Sequence, residues 1–221
     1  MIGTTNKCAI ETCAGVGFES NCANLILNHG WYGLLFDGDA NNVAVGRNFF
    51  ASNPRTSSKP PKCVQAWITK DNINGLISEN GIKGEIDLLT IDVDGNDYWI
   101  WDAIECVQPR VVVVECQANN WGADRAVTMP YQEDFVWDLS HGSGEVYCGA
   151  SLPAFVNLGK KKGYRLVGVE RHGFNAFFIR NDIRSGVLPE RSAEECLNES
   201  FKTFARMPAS PAFYEKPWLD V

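Results

Sequence analysis

Acidic residues close several apolar runs of this chain, and their placement is the first sign of chemistry. Glu11 lies near the end of Lys7-Cys8-Ala9-Ile10-Glu11-Thr12-Cys13, and Asp37 ends Gly33-Leu34-Leu35-Phe36-Asp37. Asp92 follows Leu88-Leu89-Thr90-Ile91, and Glu115 follows Val111-Val112-Val113-Val114. Short apolar runs bounded by turn residues predict buried parallel strands. In open α/β sheets the ligand crevice lies beyond the carboxyl ends of such strands. Acids gathered there can meet a cation, hydrogen-bond hydroxyls or take a proton. Repetition of the same placement along the chain is the strongest sign of a site that the residues give.

The central stretch is Asp92-Val93-Asp94-Gly95-Asn96-Asp97, followed by Tyr98-Trp99-Ile100-Trp101. Asp92, Asp94 and Asn96 are expected where a ligand sits. The plainer reading is a strand-to-helix turn, with Asp94-Gly95 as turn chemistry and Asp97 as helix cap. The candidate proton acceptors are Asp92, Asp94 and His141, the last being a group that titrates near neutral pH. As an alternative, Asp92, Asp94 and Glu115 offer the hard oxygen ligands that suit Mg²⁺. Carboxylates at neighbouring strand ends also bind cofactor and substrate directly, so a divalent metal is not expected.

These residues need elements to hold them. After the first strand comes the turn Ala14-Gly15-Val16-Gly17, then a helical pattern over residues 19–28 with Gly30 as its stop. Strand, glycine turn and helix open a nucleotide-binding half-domain. Gly15 and Gly17 let backbone approach a ligand closely. Asp37, about 20 residues past the turn, has the spacing of an acid that bonds ribose hydroxyls. Asp39 is the reserve candidate, or else the cap of a helix over residues 41–50. A third strand at 63–68 leads into a helix reaching Ile82, capped by Thr69 or Asp71, and the strand's end is where an adenine ring would lie.

Residues 117–149 lack periodicity, and a loop of that length is usually functional or mobile. It carries Trp121, Tyr131, Phe135, Trp137, His141 and Tyr147, which suits a lid or acceptor pocket. A helix over 150–162 follows. Strands at 164–169 and 175–179 then form an antiparallel hairpin turning at His172-Gly173. One domain over residues 1–183 is expected. The tail 184–221, with a helix near 193–204, reads as an arm over the surface or against a second subunit, hence a route to a homo-oligomer.

The chain has 221 residues, 45% hydrophobic and 21% charged, which suits a globular α/β fold with a good core. Its net charge of -7 argues against nucleic acid or an anionic membrane as the main partner. No run approaches a membrane span, and no signal peptide opens the chain. The eight cysteines are scattered without a CxxC pair, as expected of buried thiols in a cytoplasmic protein.

A parallel sheet that closes with a hairpin differs from a plain dinucleotide fold. The phrases Gly30-Trp31-Tyr32-Gly33-Leu34-Leu35-Phe36-Asp37-Gly38-Asp39 and Ile91-Asp92-Val93-Asp94-Gly95-Asn96-Asp97-Tyr98-Trp99 are the most telling. With Pro109-Arg110-Val111-Val112-Val113-Val114-Glu115 and Asn175-Ala176-Phe177-Phe178, they make the chain resemble the FkbM-type family of S-adenosylmethionine-dependent methyltransferases. The resemblance runs from about Ala9 to Asp182. It implies a class I methyltransferase fold, a three-layer Rossmann-like sandwich with a mostly parallel seven-stranded sheet. It also implies S-adenosylmethionine as cofactor and methyl transfer to a hydroxyl of a small molecule or sugar.

On this resemblance Glu11, Gly15 and Gly17 match the cofactor's glycine motif, Asp37 the ribose-binding acid and Asp92 the fourth-strand acid. Gly38 and Asp71 are counted with them as cofactor-binding, as is Cys13, which stands where the family commonly has glycine. The rival readings are a degenerate methyltransferase fold kept for binding, favoured by Cys13, and an NAD-dependent oxidoreductase. Against the oxidoreductase, Gly15-x-Gly17 is followed by Ser20 where a third glycine or alanine is required.

Overall fold

The computed structural model describes residues 2–116, 121–137, 147–200 and 210–221. The strands are β1 (Cys8–Glu11), β2 (Tyr32–Asp37), β3 (Lys62–Gln65), β4 (Gly84–Ile91), β5 (Val107–Glu115), β6 (Val127–Thr128), β7 (Tyr164–Val169), β8 (Asn175–Arg180) and β9 (Leu219–Asp220). The helices are α1 (Ala23–His29), α2 (Ala40–Ser52), α3 (Ile73–Glu79), α4 (Asp97–Ala103), α5 (Leu152–Lys162), α6 (Ala193–Ser200) and α7 (Pro211–Tyr214). The main sheet has 7 strands in the order β3-β2-β1-β4-β5-β8-β7, and β6 pairs with β9 separately. β1 is parallel to β2 and β4, β2 is parallel to β3, and β7 is antiparallel to β8. The expected α/β architecture with its closing hairpin is therefore present. The order reverses at β1, with β2 on one side and β4 on the other. That is the switch point beyond which α/β sheets bind ligands.

The chain divides into two compact units. The first comprises residues 3–92 and 103–112, the second residues 1–2, 93–102 and 113–221. In the first, Ala9, Ile10, Leu34, Phe36, Leu89 and Ile91 are fully buried on the strands, and Phe50, Ile73 and Ile77 on the helices. Strands covered on both faces need such unbroken apolar runs. α1 starts at Ala23, later than the periodicity predicts. The cause is tertiary: the Glu11 carboxylate accepts the backbone N–H groups of Asn21 and Cys22 at 2.7 and 2.8 Å, which fixes the helix start. Gly30 (φ 66°) stops it as expected. Buried Asp87 accepts the N–H groups of Thr5, Asn6 and Lys7 and pairs with Arg110 Nε at 3.1 Å. This ties the entry to β1 onto β4.

The second unit is built on aromatic packing. The Trp101 ring lies 4.9 Å from Phe178 and 6.2 Å from Phe155, centroid to centroid. A Cβ on Gly159 would stand 3.0 Å from Phe178, so the glycine lets α5 approach that closely. Ser151 caps α5 through the Ala154 N–H, and Gly163 (φ 83°) ends it. A satellite cluster joins Trp121, Val127, Phe213 and Trp218. Here β9 pairs with β6, Tyr147 Oη donates to the Pro217 carbonyl at 2.9 Å, and Arg125 meets Asp220 at 2.8 Å. The described end of the predicted arm thus packs on its own unit, and the predicted lid carries a short strand that holds it. No disulfide joins the described cysteines. No helix among the described residues is long and apolar enough to cross a membrane.

Candidate functional site

In the first unit Glu11 is level with Leu35 of β2 and Thr90 of β4, so Glu11, Asp37 and Asp92 finish the same edge of the sheet. Their carboxylates have different work. Glu11 is 2% exposed and committed to the start of α1. Asp37 is 6% exposed, yet its oxygens face the glycine turn. One accepts the Gly15 N–H at 2.7 Å; the other accepts the Asp39 N–H at 2.9 Å and the Asn42 side-chain amide at 3.2 Å. A carboxylate offers about four lone-pair positions, so one is left for a further donor. Asp39, the reserve candidate, caps α2 through the N–H groups of Asn41 and Asn42. Asp92 is half-buried and donates its N–H to Thr12 Oγ1 at 3.2 Å.

The turn itself is tightly wound. Cys13 takes φ 57°, in the left-handed region where glycine is at ease and a Cβ costs about 1–2 kcal/mol. A Cβ on Gly17 would lie 2.9 Å from the Phe50 ring, so this glycine serves packing against α2. Gly15 has open space on its side-chain face. Beneath the turn lies a cavity of about 10 Å³ lined by Gly15, Gly17, Asp37, Asn42, Gly46 and Cys63, among others. That is room for one water at most.

Of the remaining candidates, Gly38 is exposed at the end of β2, and Asp71 is an exposed partner of Lys70 at 2.8 Å. The start of α3 is organised instead by Thr69 and Asn72, which exchange backbone and side-chain hydrogen bonds. A residue the motifs did not single out lies against Gly38. Trp67 is 52% exposed, and a Cβ on Gly38 would be 3.1 Å from its ring. The sequence pattern runs the third strand to residue 68 and so hides it; β3 ends at Gln65, two residues before the indole.

The second unit holds the rest of the central turn. Asp97 is the first residue of α4, and its carboxylate accepts the N–H groups of Val93 and Gly95 at 2.8 and 2.9 Å, so it braces the turn before the helix in place of the expected cap on the helix itself. Asp94 takes φ 58°, which aspartate tolerates better than most residues. Its side chain reaches solvent but is crowded enough that desolvation raises its carboxyl above the ordinary value. Asn96 is spent on the chain: its amide donates to the Gln132 carbonyl at 2.7 Å and accepts the Gln132 N–H at 3.3 Å. Trp99 Nε1 donates to the Met129 carbonyl at 2.9 Å, and the Phe135 ring sits on Gly95. The segment from Met129 to Phe135 is thereby fastened over the turn.

Carboxylate oxygens of Asp94 and Glu115 lie within 4.8 Å of one another, close enough to share a cation. The buried Cys148 thiol is pushed up by burial first, and then by the nearby charges of Glu115, Asp97 and Asp94. Beyond β5, Cys116 donates its N–H to the Phe174 carbonyl at 2.7 Å, so the β7–β8 turn that carries His172 is pinned beside the end of β5. His141 lies outside the described residues.

No protein-family model matches the chain. No curated protein matches it either. Among solved structures it is similar to the methyltransferase domain of bacterial CtHen1-C, with a TM-score of 0.50 and 15% identity over 79% of this chain and 89% of that one. It is also similar to the pyocyanin biosynthetic protein PhzM, with a TM-score of 0.48 and 13% identity over 80% of this chain and 51% of that one. A SAM-dependent methyltransferase from Aquifex aeolicus gives 0.46 and 9% over 80% and 85%. At 15% identity the likeness to the first of these speaks for architecture alone. The chain has the Rossmann-like fold of class I methyltransferases.

Proposed function

We propose that this protein binds S-adenosylmethionine in its first unit and transfers the methyl group to a hydroxyl of a small molecule or sugar. The observation that carries the reading is Asp37. It ends β2, its carboxylate touches the glycine turn through Gly15, and it keeps acceptor capacity for a ribose hydroxyl. The open face of Gly15 leaves space for a ligand beside it. Gly17, Gly38 and Asp92 belong to the same edge, while Glu11 and Cys13 act through the shape of the turn. The cofactor would supply an activated sulfonium methyl. The protein's part is placement and a preorganised electrostatic setting. The acceptor's proton would pass to a carboxylate, for which Asp92 and Asp94 are the candidates alongside His141.

One observation favours a second reading, a fold retained for binding without catalysis. Asp37 and Glu11 both spend their charge on their own backbone, and Cys13 narrows the turn. Calorimetric titration with S-adenosylmethionine and S-adenosylhomocysteine separates the readings. We expect saturable binding, weakened at least about tenfold by Asp37→Asn, a loss of about 1.4 kcal/mol. The thermal midpoint of that variant reports any loss of fold. Binding of either compound unaffected by Asp37→Asn would remove the proposed ribose contact. Binding without methyl transfer to any hydroxyl acceptor would favour the second reading.

A further inference from the structure

In the second unit, β6 stands between the tail and the segment that covers the Asp94-Gly95 turn. On one edge it takes β9, with Thr128 opposite Leu219 and Val127 opposite Asp220. On the other edge Thr128 bridges to Ala150, the Ser151 N–H donates to the Val127 carbonyl at 2.8 Å, and the Met129 N–H donates to the Gly149 carbonyl at 3.0 Å. Met129 is the next residue after β6. Its carbonyl accepts Trp99 Nε1 at 2.9 Å, and its sulfur would lie 3.4 Å from a Cβ on Gly95. The chain then runs to Gln132, held by Asn96, and to Phe135, whose ring sits on Gly95. The last residue of β6 paired with the tail is thus one peptide away from the first residue packed on the turn.

The tail is held over a short length. Beyond the two paired residues of β9, the Val221 N–H donates to the Ala126 carbonyl and the Asn157 amide to the Val221 carbonyl, both at 3.0 Å. The Arg125–Asp220 pair is exposed on both sides, where an ion pair adds little. The main anchor is Trp218, directly before β9. Its ring lies 4.7 Å from Tyr147 and 5.2 Å from Trp121, centroid to centroid, and its Nε1 donates to the Phe213 carbonyl at 3.0 Å. An element joined through one ring cluster and a two-residue strand opens at less cost than the main sheet.

We propose that the tail over residues 211–221 is a strap that sets how often the segment from Met129 to Phe135 lifts from the Asp94-Gly95 turn. With β9 on β6, the main chain entering Met129 is held from both edges and the cover stays down. With β9 off, one edge of β6 is bare, the Thr128–Met129 peptide gains freedom and the cover opens more often. The inference does not need the cofactor reading; under that reading, the strap controls access to Asp94, one of its candidate proton acceptors.

Hydrogen exchange on the whole chain tests this from both ends, because a coupling between two places is reciprocal. Trp218→Ala removes the anchor of the tail, and the amides across residues 129–135 should then exchange about tenfold faster, with β7 and β8 as the unchanged reference. Gly95→Ala displaces the Phe135 ring and should quicken the amides of Leu219, Asp220 and Val221 by a similar factor. Quickening that stops at β6 and β9 in Trp218→Ala, or that stops at residues 129–137 in Gly95→Ala, overturns the strap. If Trp218→Ala loosens β7 and β8 as well, the response of the tail to Gly95→Ala decides alone.

Discussion

Asp37 and Asp94 show how far a carboxylate's surroundings decide its use. Both end predicted ligand-facing segments, yet Asp37 is buried and held by three donors of its own chain, while Asp94 meets solvent with a raised carboxyl. A raised folded value has a definite consequence for stability. The folded chain keeps the Asp94 proton to higher pH than the unfolded chain does. The penalty is therefore absent well below the unfolded value of about 3.8 and appears as pH rises through the folded one. Asp94→Asn is expected to raise the thermal midpoint at about pH 7 and to leave it unchanged at about pH 3. A midpoint that falls at neutral pH would mean that the charge is stabilised in the fold, against the expected desolvation.

Among the elements, the segment from Met129 to Phe135 is the clearest case of structure that periodicity could not reveal. It has neither helix nor strand, and it is held by the Asn96 amide, the Trp99 ring N–H and the Phe135 contact with Gly95. A Cβ on Gly95 would come within 2.5 Å of the Phe135 ring. Gly95→Ala must displace that ring, and overpacking of this kind costs about 1–3 kcal/mol. Amide exchange should quicken across residues 129–137 and stay unchanged in β7 and β8. Uniform protection in the variant would show that the ring yields at no expense. Arg165 does comparable work elsewhere in the second unit. It is buried and donates to the carbonyls of Leu188, Arg180 and Ile183, tying the chain after β8 to β7.

Across the molecule, the two units draw their stability from different sources. The first buries aliphatic strands between helices; the second relies on stacked rings and on a tail that returns to β6. Phe213 is 3% exposed at the centre of that return, within 5.1 Å of Trp218 and 5.9 Å of Trp121, centroid to centroid. Phe213→Ala is expected to cost about 3 kcal/mol in urea unfolding. The amides of Val127 and Thr128 should lose protection first, as β9 leaves β6. Retained protection there would show that the backbone pairing holds the tail without the cluster.

The apolar runs and their terminal acids were enough to read the sheet, the closing hairpin and the edge on which Glu11, Asp37 and Asp92 lie. Strand burial and turn chemistry are local properties that a sequence carries openly. Gly30 and Gly163 marked helix ends for the same reason. The commitments of side chains were not legible. Glu11 capping a helix ten residues on, Asn96 pairing with Gln132, Trp67 resting on Gly38 and the tail folding back to β6 all join residues that only the folded chain brings together. A side chain's free valences depend on which distant donors reach it, so residue types pointed to the edge of the sheet while tertiary contacts decided which of its side chains are engaged by their own chain.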